Sequence, residues 1–291
     1  FLYTNSLSSS RLAKFVAQDG NEYSPKSSEM NWQDGAVLGI GGGKDSIVAG
    51  ELLRQAGIPV SGFVLATGEI LGQTKAVSDV MGIELSAVKR VIDIQILDIN
   101  KIDGSYNGHI PISLIFGLVG ALVAVARGCR YVIVANESSA SIPQTSWEGT
   151  QVNHQWSKSL EFEKLFQDYL HNYVSGELHY FSAIRPLSSV AIAKIFSQFP
   201  QYFEVFTSDN SLFRINQEQR EHPRWSLNSS KSLSSYILLA PWLGDQDLLR
   251  TFGRNFLDEP SLTELFSSLL GENGQSVLDC VGTPEELRAS M

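Results

Sequence analysis

The segment Gly41-Gly42-Gly43-Lys44-Asp45-Ser46 constrains this chain more than any other. It follows the apolar run Ala36-Val37-Leu38-Gly39-Ile40 and precedes Ser46 to Gln55, a stretch rich in Val, Ala and Leu. The pattern predicts a strand, a glycine turn and the start of a helix. The N–H groups of such a turn and the helix N-terminus both present partial positive charge, so the unit is an anion site suited to phosphate. Glycine fits because backbone must come close to the phosphate oxygens. The common phosphate loop, G-x-x-x-x-G-K-[ST], fails twice. Asp45 stands where Ser or Thr is required, and the position five before Gly43 is Leu38.

The alternation continues beyond the loop. Apolar runs of strand length occur at 36–40, 60–66, 88–94 and 131–135, with helix-like segments at 45–56, 69–82 and 112–126. Gly57 and Gly82 fit helix C-terminal stops, and Pro59 follows the first. The expected fold class is α/β, a parallel sheet with helices on both faces. Ligands of such sheets bind at the carboxyl ends of strands. Gly41–Ser46, Thr67-Gly68-Glu69 and Asn136-Glu137-Ser138-Ser139 all fall there. Residues 141–157 read as a loop, 159–173 as a helix and 190–199 as another. After 200 the composition changes: 207–235 is polar and turn-rich, 236–243 is apolar, and helical patterns follow at 246–256 and 261–270. The expected organisation is a lead-in or remnant of a preceding domain over 1–35, a sheet domain over 36–200, and a mainly helical C-terminal cap over 201–291.

Composition narrows the function classes. The 291 residues are 43% hydrophobic, enough for a sizeable core, and carry a net charge of −9. Affinity for nucleic acid comes mostly from cationic contacts to phosphate, so no nucleic-acid partner is expected. The run Ile110 to Ala126 has one polar side chain, Ser113, but Pro111 opens it and Gly117 and Gly120 interrupt it. It reads as a buried helix, and no membrane span is expected. Cys129 and Cys280 are the only cysteines, which suits a reducing cytoplasm and not a disulfide framework. The start at Phe1 suggests a fragment or a processed chain from which an upstream region is missing.

Three further segments concentrate polar chemistry. Asn153-His154-Gln155-Trp156-Ser157-Lys158-Ser159-Leu160-Glu161-Phe162-Glu163 sits at a loop–helix junction. Ser157 or Ser159 fits a helix cap, and Glu161 or Glu163 suits the first turn. Capping does not account for His154 and Lys158, which share a face if the helix begins early. Histidine serves as acid or base near neutral pH, and lysine neutralises phosphate or carboxylate. Asn107-Gly108-His109-Ile110-Pro111 places His109 either as a buried, hydrogen-bonded group or as a polar group lining the site. Glu137 lies at a strand end, either as a magnesium ligand or as part of a polar loop exit.

Two resemblances follow from these segments. Gly41–Ser46 matches [SG]-G-G-x-D-S, and so resembles the loop of the PP-loop ATPases (adenine nucleotide alpha hydrolase-like), which cleave ATP to AMP and pyrophosphate. That resemblance makes 36–200 an ATP-binding domain. The ordered set Gly-Gly-Gly-Lys-Asp-Ser, Asn-Gly-His-Ile-Pro, Asn-Glu-Ser-Ser-Ala and Asn-His-Gln-Trp-Ser-Lys-Ser-Leu-Glu-Phe-Glu resembles the UDP-N-acetylmuramoyl-L-alanyl-L-glutamate epimerases of bacterial peptidoglycan synthesis. Leu239-Ala240-Pro241-Trp242-Leu243 and Cys280-Val281-Gly282-Thr283 extend the resemblance, which covers about 36–285.

The resemblance implies an ATP-dependent epimerase acting on the terminal L-glutamate of UDP-MurNAc-L-Ala-L-Glu through an acyl adenylate. ATP and Mg2+ are the implied cofactors and the UDP-linked muramoyl dipeptide the implied partner, with no oligomeric state specified. Gly41, Gly42, Gly43 and Ser46 would cradle pyrophosphate, with Lys44 in contact with phosphate. Asp45 would hold magnesium or order the loop, and Glu137 is a second metal candidate. Thr67 and Gly68 lie where the superfamily places adenosine. His154, Lys158, Glu161 and His109 are the candidates for proton transfer or carboxylate binding, and the base among them stays open. Arg185 reads either as a partner of substrate phosphate or as a surface charge. The family pattern has a cysteine cluster where this chain has Asp209, Ser226, Ser229 and Ser232. Ser and Asp cannot supply four thiolates, so no structural zinc is expected and hydrogen bonds must hold the segment. Competing readings are another AMP-forming PP-loop enzyme, an amide ligase or a nucleobase-modifying synthase, and an ATP-binding module without turnover.

Overall fold

The computed structural model describes residues 1–14, 16, 30–106, 110–209, 212, 224–272 and 277–291. Strands β1 (Gln33–Gly39), β2 (Val60–Ala66) and β3 (Leu85–Lys89) alternate with helices α1 (Lys44–Gln55) and α2 (Gly72–Met81). Helix α3 (Ile112–Arg127) leads to β4 (Cys129–Val134), followed by a small hairpin of β5 (Thr145–Trp147) and β6 (Thr150–Val152). Helix α4 (Leu160–Tyr173), β7 (His179–Ser182) and α5 (Ser189–Phe196) complete the sheet unit. The C-terminal region is helical among its described residues: α6 (Ser230–Leu239), α7 (Asp245–Phe252), α8 (Thr263–Leu269) and α9 (Pro284–Ala289).

The main sheet has five parallel strands in the order β3-β2-β1-β4-β7. The α/β class with helices on both faces is therefore as the alternation of apolar segments predicts. One face carries α1, α2 and α5, whose Ile47, Val48, Val77, Met81, Ile192 and Phe196 join a core that continues through Phe206, Trp225, Leu233 and Phe252. The C-terminal helices thus share a core with this face. The other face packs Ala121 and Ala124 of α3 and Phe162, Phe166 and Leu170 of α4 on Val37, Phe63, Val132 and Tyr180.

Glycines 117 and 120, which read as interruptions, lie inside an unbroken α3. A Cβ at Gly120 would lie 2.8 Å from Val132 Cγ1 and 2.9 Å from Phe63 Cζ, and one at Gly117 would lie 2.9 Å from Phe166 Cε1. They let α3 lie close on the sheet. Among the described residues no helix is long and apolar enough to cross a membrane.

Three expectations shift. The third strand spans Leu85–Lys89 rather than 88–94, because its pairing ends with β2, at Ala66↔Lys89. The segment 141–157 is not wholly loop. It contains the β5–β6 hairpin, whose turn residues Glu148 and Gly149 both take positive φ (47° and 78°), as a type I′ turn requires. Leu7 and Ser9 rest on this hairpin: Trp147 Nε1 donates to Leu7 O, and Ser9 N donates to Glu148 Oε2. The sheet also gains β7, a four-residue edge strand too short to stand out by period.

Because α3 approaches through Gly120, we expect Gly120→Val to overpack this face and destabilise the protein by about 1–3 kcal/mol. Urea denaturation would show the midpoint fall; an unchanged midpoint would contradict the close approach.

Candidate active site

Strands β1 and β4 are neighbours, yet the chain leaves them in opposite directions along the sheet, toward β2 and toward β7. The crevice outside their carboxyl ends is the topological switch point, where ligands of such sheets bind. The glycine loop leaves β1 there, and Asn136-Glu137 leaves β4.

Gly42 takes φ +85°, a conformation that glycine adopts without strain. Gly43 caps α1 with no side-chain bond, so the first amides of the helix face the loop without a side-chain acceptor at the cap. Ser46 Oγ donates to Gly43 O at 3.0 Å, which places Ser46 inside the loop. The start of α2 adjoins this cradle: Thr74 Oγ1, the Thr74 backbone nitrogen and Gly42 are close neighbours. Thr74 Oγ1 is buried with no hydrogen-bond partner among the described residues. An orphaned hydroxyl beside open glycine backbone fits an oxyanion ligand such as phosphate.

Lys44 is 7% exposed and its Nζ lies 2.6 Å from Asp45 Oδ1. Burial works against its charge, but Asp45, Glu137 and Glu286 outweigh it and raise its pKa. Glu137 Oε1 accepts from Ser139 Oγ. Asp45 and Glu137 both act on Lys44 and on Lys158, which puts both carboxylates at the same crevice. Two carboxylates with phosphate oxygens suit magnesium. Among the described residues no group of three or more His, Cys, Asp or Glu forms a metal site by itself, so the ion would need the phosphates as ligands.

Thr67 and Gly68 follow β2 at the same edge. Thr67 Oγ1 accepts from Arg90 at 3.1 Å, and Arg90 Nε is buried without a partner among the described residues. Arg90, which the sequence motifs did not single out, therefore belongs with this edge. The sequence hid it, because the expected strand at 88–94 placed Arg90 inside the strand rather than just past the end of β3.

The junction before α4 is organised differently from an early helix start. Ser159 is the cap, accepting from Phe162 N at 3.1 Å, and Trp156–Lys158 form a 3-10 turn. His154 and Lys158 are brought together by this turn and by Cys280, not by an α-helical face. Lys158 Nζ lies 3.1 Å from Cys280 Sγ, and the His154 side chain hydrogen-bonds to Cys280. Gln144 Oε1 stands 3.1 Å from His154 Nδ1 and so makes that nitrogen the protonated one. Burial works against the charge of Lys158, but Cys280, Glu137 and Asp45 outweigh it and raise its pKa. Burial would push the Cys280 thiol up, but Lys158, His154 and Lys231 bring it down to about 6. The sequence offered Cys280 as one of two unpaired cysteines and as the start of a segment carrying the resemblance, but gave it no role; 122 residues separate it from Lys158. Glu161 accepts from Trp156 Nε1 at 2.8 Å, on the exposed side. His109 lies outside the described residues.

Arg185 is not a surface charge. It is buried against Glu163 at 2.6 Å and donates to the carbonyls of Glu137 and Lys158 at 3.0 and 2.8 Å. It braces the β4 exit and the turn before α4 against each other.

The C-terminal region closes the loop's back. Thr207 N donates to Gly42 O at 3.0 Å, and a Cβ at Gly43 would touch Ser208 Oγ at 3.1 Å. The fully buried Asp209 accepts from Ser226 N at 2.7 Å and Ser232 Oγ at 2.8 Å, while Ser229 Oγ caps α6 by accepting from Ser232 N. The four positions of the cysteine pattern do converge, and hydrogen bonds hold them.

The family model described as the MurL N-terminal domain matches residues 1–183, and that of the MurL C-terminal domain matches residues 205–291. The chain is 34% identical over 260 residues to the UDP-N-acetyl-alpha-D-muramoyl-L-alanyl-L-glutamate epimerase of Xanthomonas oryzae pv. oryzae, with 88% of this chain and 56% of that protein covered. It is 35% identical over 247 residues to the protein of the same name from Salinispora tropica, covering 85% and 52%. The chain spans about half the length of the curated relatives it matches. Among solved structures it is similar to the U34-tRNA thiolase NcsA from Methanococcus maripaludis, with a TM-score of 0.39 and 11% identity over 85% of this chain and 83% of that one.

Removing one partner of the buried Arg185–Glu163 pair leaves an uncompensated charge. Arg185→Ala is expected to cost about 3–5 kcal/mol, and the Arg185→Met, Glu163→Leu double variant clearly less. Equal losses in chemical denaturation would contradict the brace.

Proposed function

We propose, from the premise that this chain belongs to the MurL family, that it epimerises the terminal L-glutamate of UDP-MurNAc-L-Ala-L-Glu to D-glutamate at the expense of ATP. The observation that carries the reading is identity of 34–35% to proteins named for that epimerase over 85–88% of the chain. The glycine loop at the switch point supports the ATP step. The free state of both cysteines supports placing the reaction in the cytoplasm.

The chemistry explains the need for ATP. A free carboxylate already carries negative charge and resists becoming an enolate dianion. In the proposed first step the glutamyl α-carboxylate oxygen attacks the α-phosphorus of ATP, an O–P bond forms, and the bond to pyrophosphate breaks. Backbone amides of Gly41–Gly43, the α1 N-terminus and the Ser46 hydroxyl hold the phosphates. Lys44 neutralises their charge. Asp45 and Glu137 would hold a magnesium ion, which would supply positive charge beside the phosphates. Thr67 and Gly68 receive the adenosine.

The mixed anhydride withdraws electrons far better than a carboxylate, so the neighbouring Cα–H becomes acidic. The His154–Lys158 group stands at the crevice for the proton transfers, and the Lys158 ammonium stabilises the developing enolate oxygen. Protonation on the opposite face and hydrolysis of the anhydride then give the D-glutamyl product, AMP and pyrophosphate.

Incubation of the full-length protein with UDP-MurNAc-L-Ala-L-Glu, ATP and magnesium should yield D-glutamate on chiral analysis, with AMP and pyrophosphate in step. Recovery of L-glutamate alone with intact ATP would sink the reading, and a new C–N or C–S bond would move it to another AMP-forming class. Asp45→Ala should lower AMP formation at least about 100-fold, within the range for loss of a charge-stabilising group. Full AMP formation in that variant would remove Asp45 from its role.

A further inference from the structure

We propose that Cys280 is the base that removes the glutamyl Cα proton on one face, held in its reactive form by the Lys158 ammonium. The proposal rests on the epimerase reading and adds the residue that reading leaves open.

Three observations converge. The first is contact: Cys280 Sγ lies 3.1 Å from Lys158 Nζ and hydrogen-bonds to His154. The second is position. Lys158 is under the influence of Glu137 and Asp45, so the pair stands beside the nucleotide loop. The third is support. Cys280 N donates to Asp279 Oδ1 at 2.7 Å, and Asp279 Oδ2 accepts from Ser230 Oγ at 2.5 Å. Just beyond, Thr283 and Glu286 form a capping box on α9, and Glu286 Oε1 accepts from Ser189 N. The segment bearing the thiol is thus anchored on both sides.

The neighbours suit Cys280 to the role. Lys158 is an ammonium, with three donors and no lone pair. His154 Nδ1 faces Gln144, and Glu161 faces Trp156 on the exposed side. A Cys280 thiolate offers an electron pair in direct contact with Lys158. The charged and titratable neighbours facing it are Lys158, His154 and Lys231, which bring it down to about 6 against burial, with Asp279 on its own segment. Both Cys280 and Lys158 remain partly exposed, so a ligand can reach them. Cys129 is the contrast: burial raises its pKa, as for an inert structural thiol.

The step balances. The Sγ pair takes the Cα proton, an S–H bond forms, and the C–H pair passes into the enolate of the acyl adenylate. A proton drawn from solvent is delivered to the other face.

The test separates the two half-reactions in the full-length protein. In deuterated water, Cys280→Ser and Cys280→Ala should lose Cα deuterium exchange by about 10²–10⁴-fold. Substrate-dependent ATP–pyrophosphate exchange should persist in both. Cα exchange at the wild-type rate would overturn the proposal, as would a thioester at Cys280 seen by intact mass. Wild type that shows neither exchange would instead sink the epimerase reading. Should both variants lose both exchanges through misfolding, alkylation of wild type by iodoacetamide decides. Its rate should rise with pH through about 6, ATP plus substrate should protect, and Lys158→Met should move the inflection toward the ordinary thiol value of about 8.5. Absence of an inflection below about 8.5 in wild type would overturn the proposal.

Discussion

Everything at this site depends on the adjacency of β1 and β4. Both strands are central and parallel, and the chain leaves them toward opposite edges, so no connection covers the crevice between their carboxyl ends. The glycine loop and Asn136-Glu137 are delivered there by topology. That arrangement stands only if α3 lies close on one face, which Gly117 and Gly120 allow, and if α1 and α5 cover the other. Arg185 then fixes the exit of β4 relative to the turn before α4 by bonding the carbonyls of Glu137 and Lys158 while paired with Glu163.

The C-terminal helices complete the chemistry as well as the core. Thr207 is tied to Gly42, and Asp209 gathers the backbone and hydroxyl of two serines beneath that tie. A buried carboxylate with those partners sets local geometry, at the cost of requiring every partner to stay in place. From the other end of the same region comes Cys280. His154 and Lys158 fall in the segment matched by the N-terminal family model, and Cys280 in that matched by the C-terminal one. The Lys158–Cys280 contact therefore bridges them.

Local features of the sequence were legible because their physics is local. Strand, glycine turn and helix follow from apolar period and from Gly41–Gly43, and the apolar run to Ala126 does form one buried-face helix. The features that were not legible depend on partners distant in the chain. Strand β7 is four residues long and exists because Tyr131–Val134 pair with it. His154 and Lys158 were singled out for a shared helical face, whereas a 3-10 turn and a thiol 122 residues away unite them. Arg185 carried no sign in the sequence that Glu163 would neutralise it in the interior.

In the proposed reaction, carboxylate activation precedes and permits exchange of the Cα proton. The most direct measurement is deuterium incorporation at the glutamyl Cα of UDP-MurNAc-L-Ala-L-Glu in deuterated water, with and without ATP. The account predicts incorporation with ATP and none without it. Incorporation that proceeds equally in the absence of ATP would contradict it.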